Sequence, residues 1–269
     1  MIARIESVDH QPWPVILLPG GILPAGPAYA ALLAELGSEV DARTKDLELY
    51  ATPTPSPGYS LATEVDGITR LADQAGFDRF HLVGYSGGGA SSVAFVTRHP
   101  DRLLSLALLE PAFAGWQGMT PAERTHFEQF RGIVGLPDPE QMAAFRALQL
   151  APGVEPAPPP ADPPPAWMAQ RPAGVRAILG AFFASDLDPA ALARFDRPVL
   201  FVLGGRSHPD YYARMAARLA SVFPDFTVEV FPDRHHFDPP HRIEPARVAS
   251  LLRDLWSRAE ASPPSIAST

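Results

Sequence analysis

The sequence predicts an α/β fold: a mostly parallel, twisted sheet with helices on both faces. Three observations support this. Short apolar runs alternate with amphipathic stretches of helical period along most of the chain. The apolar runs are unbroken, as suits strands covered on both faces. The length of 269 residues, 46% of them apolar and 19% charged, is enough to bury a substantial core.

Taken in order, the clearest strands are Val15–Leu18, Phe80–Gly84, Leu103–Leu109, Pro198–Leu203 and Phe226–Phe231. Weaker runs at Ile2–Val8 and Glu39–Asp46 are expected as edge strands. Helical period marks Leu61–Ala75, Gly88–His99, Asp210–Val222 and Pro245–Arg258, several of them bounded by Pro or Gly. The alternation stops between residues 112 and 195, where only helical pieces are legible: Pro121–Gly132, Asp138–Leu150, Trp167–Ala184 and Pro189–Phe195. Within them lies the proline-rich run at 152–166, which supports neither a helix nor a central strand because proline lacks the donor and clashes with the preceding turn. The flanking pieces carry Trp116, Phe127, Phe130, Phe145, Trp167, Phe182 and Phe183, which need an apolar surface. The expected organisation is therefore a core of residues 1–111 and 196–260, a helical insertion of residues 112–195 over the sheet, and a disordered tail at 261–269.

Composition removes several functional classes. There are no cysteines, which excludes disulfides, thiolate metal sites and a cysteine nucleophile. A formal net charge of −8 argues against a nucleic-acid partner, which needs a concentrated basic surface. No apolar run approaches the length of a membrane span. The opening MIARIESVDHQPWP has no sustained apolar stretch, which predicts no secretory signal and a cytoplasmic location. The 32 prolines exceed twice the usual share of about 5%, a bias that base composition of the genome accounts for without any function.

The strongest local signal is Gly84-Tyr85-Ser86-Gly87-Gly88, preceded by an apolar strand and followed by a helix that ends before Pro100. A serine on so sharp a turn presents its hydroxyl at the carboxyl end of the sheet, and small flanking residues let strand and helix approach closely. A phosphate-holding loop is the competing reading, but the P-loop lysine and the GxGxxG spacing are both missing.

With this motif in its strand–turn–helix context, the chain resembles the α/β-hydrolase superfamily, of the kind with a helical cap between core strands. The resemblance runs from Pro14 to about Arg258 and rests on ILLPGG (16–21), LVGYSGG (82–88), LLEP (108–111), PVLFVLGG (198–205) and RHHF (234–237). It implies the α/β-hydrolase fold and serine-dependent hydrolysis with Ser86 as nucleophile. The family places its base between the last strand and the C-terminal helix, where His235 and His236 stand; His236, followed by Phe237 and later by Pro245, fits the pattern better. The usual acid position falls at Ser207, which cannot orient an imidazole. Glu110, at the end of the strand beside the nucleophile strand, and Asp210 remain as candidates. The apolar neighbours of Glu110 favour it, since a carboxylate there wants a partner. The oxyanion donors implied are the N–H groups of Gly87 and Gly21, with Ile22 as the neighbouring alternative.

The expected reaction is hydrolysis of a carboxylic ester, lactone or thioester of an apolar small molecule, with no cofactor and no metal. Neighbouring histidines such as His235, His236 and His241, without a spaced carboxylate, are poor evidence for zinc. Carbon–carbon hydrolysis, perhydrolysis, a lyase reaction and a ligand-binding relative without turnover are the alternatives on the same fold. Epoxide hydrolases and haloalkane dehalogenases are disfavoured because they use an aspartate nucleophile where this chain has Ser86. Oligomeric state is not legible.

Overall fold

The computed structural model describes residues 11–156 and 163–261. The edge strand expected at 2–8, the middle of the proline-rich run and the tail beyond residue 261 lie outside them. Six strands form one sheet, β1 (Trp13–Leu18), β2 (Val40–Thr44), β3 (Phe80–Tyr85), β4 (Leu103–Leu109), β5 (Val199–Gly204) and β6 (Phe226–Phe231), in the order β2-β1-β3-β4-β5-β6. Every pairing among the described strands is parallel. The order reverses at β1, which sends the chain first to β2 on one side and then to β3 on the other. Open parallel sheets place their ligand crevice at such a switch point, outside the carboxyl ends of the strands.

The unbroken apolar strands divide their side chains between two buried layers. Val15 and Leu17 of β1 join Val83, Ala107, Leu109 and Val202 beneath α1 (Ala25–Leu36) and α10 (Pro245–Ala261). Ile16 and Leu18 face the opposite way with Leu82, Leu106, Leu108 and Phe201, toward α2 (Leu61–Ala75) and α3 (Gly87–Arg98). This period of two within a continuous apolar run is the signature of a strand buried on both sides. β6 departs from the expectation. It lies at the edge of the sheet with Val228 and Val230 exposed by 38% and 43%, so its apolar residues are only partly covered.

Register brings two turns together. Tyr85 at the end of β3 pairs with Leu109 at the end of β4, so the next residues, Ser86 and Glu110, emerge side by side. Between β4 and β5 the chain forms α4 (Pro121–Ile133), α5 (Asp138–Ala147), α6 (Arg171–Ala184) and α7 (Pro189–Ala193), with no strand among the described residues of that segment. Its aromatic residues pack on one another and on the core. Phe113 stacks on Phe182 at 5.3 Å between centroids, and Trp116 meets Phe127 edge-on at 5.0 Å.

Two helical elements differ from the sequence reading. α1 carries Gly26 and Pro27 in its first turn, which hides its period, and its start is capped from a distance: Asp46 Oδ1 accepts the Ala25 N–H at 2.6 Å. The single helix expected at 210–222 is a wide π-turn at Pro209–Ala213 followed by α8 (Arg214–Ala220). α9 (Pro240–Ile243), before α10, completes the fold.

Candidate active site

Ser86 sits between β3 and α3 with φ 52°, a left-handed conformation that costs a non-glycine residue free energy. The turn persists because its surroundings hold it. Ser86 N–H donates to Leu109 O at 3.1 Å, and Ser86 O accepts from Ala112 N–H at 2.8 Å and Ala90 N–H at 3.0 Å. The glycines two residues to either side are steric requirements. A Cβ on Gly84 would overlap Ser92 Oγ, and one on Gly88 would overlap the Leu18 and Pro19 carbonyls. Small residues at these positions are what allow α3 to pack directly on β3 and β1.

Glu110 has φ 46°, and among the described residues only Ser86 and Glu110 are non-glycine residues with positive φ. Both lie at the carboxyl edge of adjacent strands, where backbone strain marks a candidate functional site. Glu110 Oε1 accepts the Gly204 N–H at 2.8 Å, and Oε2 lies 3.2 Å from His236 Nδ1. His236 Nε2 in turn lies 3.0 Å from Ser86 Oγ. A carboxylate only accepts, so the Nδ1 proton points at Glu110 and leaves Nε2 to accept from the serine hydroxyl. Ser86, Glu110 and His236 are exposed by 5%, 2% and 1%, so the hydrogen bonds lie in a water-poor setting.

The alternatives left open by the sequence go elsewhere. His235 Nδ1 accepts the backbone N–H groups of Phe237 at 3.1 Å and Asp238 at 3.0 Å, and burial lowers its pKa. That imidazole fixes the loop instead of facing Ser86. Asp210 is half exposed and pairs with Arg214 at 2.6 Å, a surface contact between positions i and i+4 that holds its carboxyl below the usual range. Ser207 is buried. His99 caps the end of α3, and His126 stacks on His208 at 3.8 Å beside a cavity that Ser86 does not border.

Gly87 is the first residue of α3, so its N–H has no acceptor within the helix. Gly21 N lies 3.5 Å from where a Cβ on Gly87 would stand, and both glycines border a small cavity with Ser86. Ile22 does not border that cavity but does border a larger one, which Gly21 and Ser86 border too. The loop that carries Gly21 is anchored by two side chains the sequence did not single out. Tyr50 OH donates to Gly21 O, and Arg171 Nε donates to Ile22 O at 2.6 Å while its guanidinium lies 3.8 Å over the Tyr50 ring. Burial pushes the Tyr50 phenol up to about 12, so it remains a donor. Arg171 opens α6, which ties the inserted helices to the loop after β1.

Two more residues escaped sequence reading because their role depends on packing. Tyr85 OH donates to His236 O, and its ring lies 5.0 Å from the imidazole. Tyr212 stacks on His236 at 4.8 Å and 15° and donates to Gln149 Oε1 at 2.8 Å. The π-turn carries Tyr212, together with the adjacent Tyr211, into the buried side of the site; such turns are frequent at functional positions. No group of three or more His, Asp or Glu side chains suited to a metal ion occurs among the described residues.

Comparison with known proteins identifies the fold family. The sequence profile described as alpha/beta hydrolase fold matches residues 49–239. The putative carbamate hydrolase RutD of Caulobacter vibrioides is 28% identical over 96 residues, 36% of this chain and 34% of that protein. Fluoroacetate dehalogenase of a Burkholderia species is 32% identical over 112 residues, 39% of this chain and 37% of that protein. These matches thus span little more than a third of the relatives' own length. The crystal structure of carboxylesterase CesB (YbfK) from Bacillus subtilis superposes with a TM-score of 0.63 at 18% identity, covering 93% of this chain and 84% of that one. The match to the profile extends over most of the chain and includes Ser86, Glu110 and His236: the protein belongs to the alpha/beta hydrolase fold family.

Proposed function

We propose that the protein is a serine hydrolase that cleaves carboxylic esters of small molecules, with lactones and thioesters as chemically related substrates. The observation that supports this reading is the unbroken chain of hydrogen bonds from Gly204 N–H through Glu110 and His236 to Ser86 Oγ. Ser86 Oγ attacks the ester carbonyl as His236 Nε2 takes its proton. The Gly21 and Gly87 N–H groups stabilise the oxyanion, and Glu110 stabilises the imidazolium. Collapse breaks the bond to the alcohol oxygen, which leaves with the proton held on Nε2. Water then gives a proton to His236 and its oxygen to the acyl carbon, which frees the acid and restores the serine hydroxyl. Residues 112–195 act in this proposal as a cap, with α4 and α6 roofing Ser86.

The test is intact-mass labelling with a fluorophosphonate on wild type, Ser86→Ala and His236→Ala. One stoichiometric adduct, absent from both variants, is expected. A folded wild-type protein that takes up no label, or an adduct that survives Ser86→Ala, overturns the assignment.

A further inference from the structure

Two cavities of very different size and chemistry share Ser86. One has a free volume of about 20 Å³ and is bordered by Gly21, Gly87 and apolar side chains of the insertion, among them Phe130, Val175, Ile178 and Phe182. That volume holds about one water-sized or methyl-sized group. The other has a free volume of about 340 Å³ and is bordered by His236, Phe237, Met168, Arg146 and Arg242. His236 borders the larger cavity and not the small one. The imidazole must reach the oxygen of the departing alcohol to protonate it, so the alcohol portion lies on the His236 side and the acyl chain is left with the small niche.

The larger cavity is electrostatically one-sided. Arg146 comes from α5 and Arg242 from α9, and neither guanidinium has a hydrogen-bond or ion-pair partner among the described residues. This contrasts with arginines such as Arg218, Arg234 and Arg253, which are paired with carboxylates. No Asp or Glu borders the cavity among the described residues. The charge of Arg242 also reaches the cavity lining, where it works against the raised pKa of Tyr85 and helps to depress that of His241. Arg146 is half-buried and Arg242 exposed; in a chain of net charge −8, two arginines without a partner among the described residues at the border of one largely apolar cavity form a local field opposite to the global one.

Resting on the serine-hydrolase reading, we infer that the substrate is an ester of a short acyl group, acetyl in size, with an alcohol portion that carries a carboxylate. The niche limits the acyl chain, the apolar walls cover the body of the alcohol, and the two guanidinium groups meet its anionic end.

The experiment compares 4-acetoxybenzoate with its neutral methyl ester, and with 4-hexanoyloxybenzoate, on wild type and on the Arg146→Gln/Arg242→Gln double variant. The neutral ester has the better leaving group, so a preference for the anion cannot come from intrinsic reactivity. The expected result is a kcat/KM for 4-acetoxybenzoate about tenfold above that of the methyl ester, carried mainly by KM, weakened by added salt, and falling to a ratio near one in the double variant. The hexanoyl ester is expected to lose at least tenfold. A wild type that prefers the neutral ester, or a ratio unchanged in the double variant, overturns the anionic alcohol; equal rates for acetyl and hexanoyl overturn the short acyl group. A second measurement covers the case of no turnover. 4-Hydroxybenzoate is expected to slow fluorophosphonate labelling of Ser86 more than its methyl ester does, and the reverse order counts against the inference. Labelling of Ser86 with failure of both preferences removes the substrate class and leaves the hydrolase reading standing, whereas absence of label removes both.

Discussion

Glu110 and Glu123 are equally withdrawn from water and are held by opposite means. Glu123 on α4 faces Arg218 on α8, whose Nη2 and Nε lie 2.8 and 3.1 Å from Oε1, and the same guanidinium donates to Ala114 O at 3.0 Å. A full cation cancels the charge, the backbone is regular helix, and the pair joins the insertion to the core. Among the described residues, Glu110 has no guanidinium or ammonium as a hydrogen-bond or ion-pair partner. It is held by one backbone N–H and an imidazole, on a residue with strained backbone angles. A carboxylate whose partner becomes charged only when it takes a proton is poised for acid–base work; one already neutralised is a clamp. Burial alone does not separate the two roles, but the partner and the backbone conformation do.

The comparison yields its largest effect at Glu110. Glu110→Gln is expected to lower kcat on an activated ester by about 10³- to 10⁴-fold while leaving the thermal midpoint within a few degrees of wild type. A variant that loses stability in proportion to its activity would make Glu110 a second clamp. Glu123→Gln is expected to do the reverse. Leaving Arg218 buried without its counter-charge costs about 3–5 kcal/mol in urea denaturation, with activity surviving in the fraction that stays folded.

Imidazoles without a carboxylate sharpen the same contrast. Burial depresses the pKa of His81 to about 3 and that of His241 to about 3. Unfolded, each binds a proton near pH 6.5. Between about pH 6.5 and 3 the unfolded chain therefore carries more protons, and stability falls as pH falls through that window. Each histidine contributes a slope of about 1.4 kcal/mol per pH unit. Urea midpoints at pH 7, 6 and 5 are expected to decline, and His81→Asn to flatten the slope; an unchanged slope in that variant would remove His81 from this account.

The smallest expected effect concerns the loop after β1. Tyr50→Phe removes the hydrogen bond to Gly21 O and, on the proposal that Gly21 N–H stabilises the oxyanion, is expected to lower kcat about tenfold with KM nearly constant, since such a donor matters most in the transition state. A change confined to KM would mean that Tyr50 shapes the cavity without positioning the donor.

Much of this arrangement is legible in the sequence. Gly84, Ser86 and Gly88 stand close in sequence between an apolar run and a helical stretch, so the strand–turn–helix around them could be read directly, although the carbonyls that exclude a Cβ at Gly88 belong to the distant Leu18 and Pro19. Ser86, His236 and Glu110 could be named because the motifs around them resemble those of the α/β-hydrolase superfamily, with the apolar neighbours of Glu110 favouring it over Asp210. The choice of His236 over His235 could not be settled by sequence spacing, because neighbouring residues in an irregular loop face directions that only the packing defines. Asp210 competed with Glu110 until Arg214, four residues on, took it as a surface partner. Tyr50, Tyr85, Arg171 and Tyr212 were missed outright. Aromatic and arginine residues are common in cores, and their value here is a contact across many residues: 29 from Tyr50 to Gly21 and 149 from Arg171 to Ile22.

By itself the sequence determined the layered α/β plan, the strand–turn–helix at Ser86 and the helical character of residues 112–195, because these depend on periodicity and turn chemistry that a short window contains. The tertiary structure decided which histidine meets Ser86, which carboxylate meets that histidine, which side chains brace the loop of Gly21, and how the space around Ser86 divides into a small apolar niche and a larger cationic cavity. Those are properties of groups brought together by parallel register and by helices folded back over the sheet, and no pattern along the chain encodes the distance between two side chains that meet only after it has folded.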